Sequence, residues 1–344
     1  MLSRYEIRVD VVRNGATLTT LHSLTPPSID CDSGAAIKMS MSADFIADSS
    51  VNWLTDELLP IQVIDGKDYP VGYFPVGTVV TSRDSNGLET VSVEAYDRCM
   101  ILNQTKAEAI LHFSAGDSYL GVVESLLLEA GLALHVTSPN EAVLRTDRED
   151  WPIGTPYLTI INQLLAEINY ASIWFDSRGY AHLEELKVPS VSNIKHCYTQ
   201  TDKTRVLARP SVVEQDAFDA PNVFVAICAN PDFEAPLIAT AVNDNPMSAL
   251  SVLRRGRRIV QVYHVNNVPD QAALEAYVSQ RKFEGMMSSE IVTIETVKRP
   301  GHGVFDTVAL SHPDASGIFQ EVGWSMVLDN DSLMTHRLKR SVIL

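Results

Sequence analysis

The sequence has no run of eighteen or so consecutive apolar residues, so nothing in it reads as a helical membrane span. Its opening, Met-Leu-Ser-Arg-Tyr-Glu, lacks the apolar core of a signal peptide, and synthesis in a cytosol is expected. Cysteine is scarce: Cys31, Cys99, Cys197 and Cys228 stand far apart without a C-x-x-C pair, which excludes a disulfide scaffold. Only Cys197, beside His196, has a local histidine, so all four are read as reduced thiols that pack as small hydrophobes. Positive charge is also short. With 27 Lys and Arg against 43 Asp and Glu, the net charge of −16 is opposite in sign to a general phosphate grip. Solubility explains the excess most simply, and in a ring-forming protein it would also face a lumen with carboxylates that repel DNA. Aromatic residues make up 7% and fall mostly within strand patterns, which counts against a sugar-binding module with exposed aromatic clusters.

What remains is an ordinary folding composition, 45% apolar and 20% charged, in 344 residues, roughly twice the length of one domain. Residues 5–21 alternate apolar and polar on both sides of Asn14-Gly15, a strong hairpin signal. Ile37, Met39, Met41, Ala43 and Phe45 alternate with Lys38, Ser40, Ser42 and Asp44, which predicts a strand with one wet face. Further strands at 61–64, 78–82 and 89–95, punctuated by Gly66, Gly72, Gly77 and Asn86-Gly87, make the first hundred residues all-β.

The period changes after Cys99. A helix over 122–130, with Asp117 as its cap, precedes a strand over 132–136. The phrase then repeats 38 residues later: Gly116 matches Gly154, Tyr119 matches Tyr157, Leu126-Leu127 match Leu164-Leu165, and Glu129 matches Glu167. The second helix spans 160–168, with Pro156 in its first turn, and a strand at 172–175 follows. Two copies are too few for a solenoid, so a compact α/β lobe is expected. Strands are then predicted at 206–208, 211–213, 222–229, 291–297, 307–310, 319–327 and 333–343. A strand pair around an Arg-rich turn should fill 253–265, and a helix 269–285.

Candidate chemistry is sparse. Phe113-Ser114-Ala115-Gly116 lacks the first glycine of a nucleophile elbow. His302 with Asp306, and His312 with Asp314, are short His/carboxylate pairs without a third ligand at useful spacing. Asp329-Asn330-Asp331 lacks the glycine and distal glutamate of a calcium loop and reads as a hairpin turn. Glu184 and Glu185 are adjacent in a strand and should point to opposite faces, not to one glycosidic bond. Arg254, Arg255, Arg257 and Arg258 form the one concentrated positive patch, suited to a carboxylate-rich partner.

Three phrases resemble the baseplate hub proteins of phage tails, the family that includes the trimeric hub of contractile tails and tailocins. The first is Tyr69-Pro-Val-Gly-Tyr-Phe-Pro-Val-Gly-Thr78 followed by Val91-Ser-Val-Glu-Ala-Tyr-Asp97. The second is the doubled G-x-x-Y-L helix opening, and the third joins Gly256-Arg-Arg-Ile-Val, the helix near 271–284, Arg299-Pro300 and Phe305-Asp-Thr-Val-Ala-Leu310. Phe305 stands where the family more often has glycine.

The resemblance implies an α+β, mainly β protein: two tail-tube-like antiparallel β-barrels, with an α/β lobe between them and a second α/β insertion. The expected divisions are 1–98 for the first barrel, 99–189 for the lobe with its duplication, 190–240 for the first part of the second barrel, 241–299 for the insertion and 300–344 for the closing strands. It further implies a homotrimer in which six barrels match a sixfold tail tube protein on one side and a threefold central spike protein on the other. Other baseplate proteins would surround it, and DNA would pass through the lumen without specific binding. Assembly in the host cytoplasm into the virion tail baseplate follows, with no catalytic, cofactor or metal-binding residue. Some relatives carry a peptidoglycan-cleaving domain after the hub, and none is expected here because the final strands run to Leu344. A tail-tip peptidoglycan hydrolase and a host-carbohydrate-binding module are the alternatives.

Overall fold

A computed structural model of the chain describes residues 5–148, 150–199, 212–214, 220–228, 235–248, 250–265, 268, 270–287, 291–313 and 315–340. The predicted strand at 206–208 lies outside these residues. Asn14 and Gly15 hold φ values of 51° and 78°, the left-handed pair that a two-residue hairpin turn requires. They join β1 (Tyr5–Arg13) to β2 (Ala16–Leu21). β3 (Ser28–Asp32) and β4 (Met39–Ile46) follow, then β5 (Glu57–Ile64), β6 (Lys67–Pro70), β7 (Phe74–Arg83) and β8 (Glu89–Tyr96).

Alternation in β4 buries Met39, Met41, Ala43 and Phe45 as the pattern predicts. Lys38 departs from it. Expected on the wet face, it is 3% exposed, and its ammonium donates to the carbonyls of Ser33 (2.9 Å) and Ala35 (2.6 Å) and to the hydroxyl of Ser172 (2.8 Å). Those acceptors replace the water that the charge gives up, and they tie the first sheet to the middle lobe.

The middle lobe contains α1 (Cys99–Gln104), α2 (Tyr119–Glu129), β9 (His135–Thr137), α3 (Tyr157–Glu167), β10 (Trp174–Phe175) and β11 (Ala181–Leu183). Ser118, not Asp117, caps α2: the Gly121 amide donates to its hydroxyl at 3.3 Å, while Asp117 accepts from the Ser114 amide. Pro156 is the N-cap of α3 and lies just outside its first turn. The duplication is reciprocal in space. The amides of Gly154 and Tyr157 donate to the carbonyls of Ala107 and Thr105, and those of Gly116 and Tyr119 donate to Leu144 and Ala142. Each helix opening is therefore held by the segment that leads into the other one, around a core that includes Val123, Leu127, Ile161 and Leu165.

Beyond the lobe lie β12 (Ile194–Thr199), β13 (Val212–Glu214), β14 (Val223–Cys228), β15 (Leu237–Val242), α4 (Val252–Arg255), β16 (Val260–Val265) and α5 (Gln271–Met287). β17 (Ile291–Thr296), β18 (Thr307–Ser311), β19 (Ser316–Val327) and β20 (Met334–Arg340) complete the set. The apolar run over 223–228, assigned by sequence to the second barrel, is instead the centre of a separate sheet ordered β15-β14-β16 and backed by α5. The predicted strand pair over 253–265 is also corrected. Val252–Arg255 form one helical turn, closed by Gly256 at φ 63°, and β16 pairs in parallel with β14.

The protein is mainly β with large antiparallel sheets, but no closed barrel is found among the described residues. Apart from β14 and β15, the strands of both expected barrels belong to one hydrogen-bonded path, β13-β17-β20-β19-β3-β4-β8-β7-β5-β1-β2, with β18 and β12 branching from β19 and β6 from β5. The joint is β19. Along one edge its residues Ser316–Gln320 pair with β18, and Gly323–Val327 pair with β3. A bulge between Glu321 and Gly323 marks the change of partner. Two cores lie on either side of it. Phe319 packs with Tyr198, Val292 and Leu338, whereas Trp324 and Met326 pack with Ile29, Phe45 and Phe74 from the first ninety residues. Each fully buried side chain of this size contributes about 1.5–3 kcal/mol, so β19 belongs energetically to both halves.

Candidate functional site

The His302/Asp306 pair singled out by sequence lies beside the joint, in the loop between β17 and β18. Phe305 occupies the left-handed region at φ 61°, so the glycine-type turn is kept by a residue that pays for it in strain. Asp306 accepts from the Gly303 amide (2.8 Å), Lys195 (3.0 Å) and His196 (3.2 Å), and these partners outweigh burial to hold its carboxyl below the usual range. His302 stacks on His196 with ring centroids 3.7 Å apart.

Behind this pair is a buried network that local spacing did not reveal. Nδ1 of His302 lies 2.7 Å from one oxygen of Glu321, and Nδ1 of His336 lies 2.5 Å from the other. All three side chains are 0% exposed. The opposite ring nitrogens also have partners: Nε2 of His302 is 2.7 Å from the Tyr198 hydroxyl, and Nε2 of His336 is 2.7 Å from the Thr296 hydroxyl. Burial disfavours a proton on His302. Burial would also raise Glu321, but the two imidazoles outweigh it and bring its carboxyl down to about 2. Two groups of possible metal ligands result, His302/Glu321/His336 and His196/His302/Asp306. The sequence held one unused signal: Glu321 and His336 occupy inward positions of strands, aligned with Phe319 and with Met334 and Leu338. His312 is buried but joins neither group, and Asp314 lies outside the described residues.

A cleft of about 450 Å³ separates the middle lobe from the β12–β18 pair. Trp174, stacked on His182 at 3.9 Å, lines it together with Lys195 and Phe305. Glu184 and Glu185 both line it too. β11 ends at Leu183, so strand alternation no longer governs them.

Among the arginines, Arg254, Arg257 and Arg258 are exposed on the insertion and Arg255 is half-buried. Arg254 donates to the Pro246 carbonyl (2.7 Å) and Arg255 to that of Ala220 (2.6 Å). The patch is thus part of the loop packing at the edge of the β15-β14-β16 sheet. That sheet's uncovered face presents Ile238, Val260 and Val262, each at least 41% exposed.

No protein-family model and no curated protein matches the sequence. Solved structures do match it from end to end. The tail protein from Neisseria meningitidis MC58 superposes with a TM-score of 0.68 at 16% identity, over 97% of this chain and 96% of that one. The fold is that of tail proteins. The 43 kDa tail protein of prophage MuSo2 from Shewanella oneidensis shares the tail-protein fold with a TM-score of 0.66 at 10% identity, over 98% and 99% of the two chains. Prophage tail protein gp18 from Listeria monocytogenes EGD-e does so with a TM-score of 0.60 at 12% identity, over 98% and 95%. In this chain's version of the tail-protein fold, the histidine network sits where the two halves share β19, and the arginines sit on the insertion.

Proposed function

We propose that the chain is the structural hub of a phage or phage-like tail baseplate, a homotrimer that adapts a sixfold tail tube to a threefold central spike. The observation that carries this reading is the end-to-end likeness to tail proteins, two of them from prophages. Two half-sheets with separate cores, joined through β19, support the adaptation, since three copies would offer six such units. The net charge of −16 suits a lumen through which DNA passes without binding. In this reading the exposed arginines of the insertion meet a carboxylate-rich surface, which a second copy of this acidic chain provides. Assembly takes place in the host cytoplasm, and the mature location is the virion tail.

Light scattering on the full-length chain is expected to give a trimer. Electron microscopy down the particle axis is expected to show its copies around a central channel. A chain that stays monomeric beside its tube and spike proteins rules the hub out. One observation favours a second reading, a tail-tip peptidoglycan hydrolase: Glu184 and Glu185 share a cleft with Trp174. Clearing on a peptidoglycan zymogram, lost in Glu184→Gln or Glu185→Gln, would establish that reading instead.

A further inference from the structure

We propose that His302, Glu321 and His336 bind a zinc-class divalent cation that pins the joint between the two half-sheets. The inference is independent of the hub reading, because it rests on side-chain geometry alone. Each ligand comes from a different part of the chain: His302 from the loop before β18, Glu321 from the bulge of β19, and His336 from β20 opposite Trp324. Both rings turn Nδ1 to the same carboxylate, one to each oxygen, at 2.7 and 2.5 Å.

The far nitrogens of both rings have oxygen partners, which leaves the near ones available to ligate. The Thr296 hydroxyl lies 2.7 Å from Nε2 of His336 and 3.1 Å from the Val297 carbonyl, so it can accept the ring's proton while passing its own to the carbonyl. In that tautomer Nδ1 turns the lone pair a metal ligand needs towards the carboxylate oxygen 2.5 Å away. Only a positive charge between them, a proton or a metal ion, makes that contact attractive. On His302 the same tautomer is available, with Nε2 donating to the Tyr198 oxygen 2.7 Å away. Metal-bound imidazoles have this second partner on the far nitrogen.

The charge account agrees. Glu321 is fully buried, and the groups that face its two oxygens are imidazoles. A divalent ion supplies what the carboxylate lacks, and a two-histidine, one-carboxylate set is a known zinc donor set. Ligands about 2.0–2.1 Å from a tetrahedral ion are roughly 3.3 Å apart, so the three groups need to spread by only some tenths of an ångström. Glu321 has an oxygen facing each ring and can fill two positions. With every ligand out of contact with solvent, the ion is structural and enters as the chain folds.

The test is metal analysis of the full-length chain, refolded with Co²⁺ or Zn²⁺ and then desalted. The expected result is about one ion per chain, a visible d–d absorption from the cobalt form, and a melting temperature higher with Zn²⁺ than with chelator. Glu321→Gln and His336→Gln should abolish retention. If those variants do not fold, His196→Gln, which leaves all three ligands in place, should still hold the ion. A folded native chain that keeps no cobalt or zinc after desalting, and melts alike with and without chelator, means that protons hold the network and overturns the proposal.

Discussion

The Tyr157 hydroxyl donates to Glu129 at 2.8 Å, and its counterpart Tyr119 lies against Glu167, so each half of the duplicated unit sets a tyrosine beside the other half's glutamate. The copies have diverged around it. Glu167 has gained Arg148 at 2.5 Å, with the two side chains only 4% and 5% exposed, and burial raises the phenols of both tyrosines.

That asymmetry sets a mutational order. Tyr157→Phe should cost about 1 kcal/mol, the net value of one hydrogen bond. Arg148→Met should cost about 3–5 kcal/mol, because it leaves a carboxylate buried and unpaired. Urea denaturation of the full-length chain measures both, and equal costs would contradict the assignment.

Gly179→Ala should destabilise by about 1–3 kcal/mol, and Gly179→Asn should not relieve it. The backbone φ there is 81°, which Asn tolerates, but any Cβ would sit 2.5 Å from Arg98 Nη1 and 3.0 Å from Tyr73. Arg98 is the strut between sheet and lobe: it pairs with Glu57 at 2.6 Å, stacks on Tyr73 at 4.4 Å and donates to the Gly179 carbonyl at 2.9 Å. A Gly179→Asn protein with native stability in thermal melts would refute the steric account.

Phe305→Gly should be close to neutral, within about 1 kcal/mol. Relief of left-handed strain, about 1–2 kcal/mol, offsets the loss of a half-buried ring. Phe305→Ile keeps the apolar volume but branches at Cβ, and should be the worse variant by calorimetry.

Asp329 gives a pH signature. Burial would raise its carboxyl, but Lys298 at 2.5 Å, the Ser332 hydroxyl and the Ser332 amide at 2.7 Å outweigh burial and hold it well below the usual range. A depressed folded value means that its stabilisation is complete above the unfolded value of about 3.9 and is lost as pH falls towards the folded value. The stability gap between native chain and Asp329→Asn should therefore be constant from pH 7 to about 5 and shrink below about 4. A gap that widens on acidification would reverse the sign and defeat the assignment.

Local grammar made much of the first half legible. Asn14-Gly15 specified a turn by its backbone conformation alone, and the Gly116/Gly154 repeat located two helices because each must bury one apolar face. What stayed hidden depends on distant pairing. Nothing near Ile29 announces Met326 as its partner, and His196, His302, Glu321 and His336 meet only after strands from both ends are aligned. Lys38 was misplaced because a flexible stem can turn inward where three acceptors wait, which alternation does not encode. The single sheet was missed for a related reason. A strand long enough to change partners at a bulge looks, in one dimension, like any other strand.

That shared strand also sets a timetable for synthesis. A ribosome releases Ser28–Asp32 nearly three hundred residues before the segment that will lie beside it. Until then the nascent chain presents an unsatisfied row of amides and carbonyls, a template for pairing with the wrong neighbour. Closure of the sheet between β3 and β19 must accordingly wait until the later strand has been made.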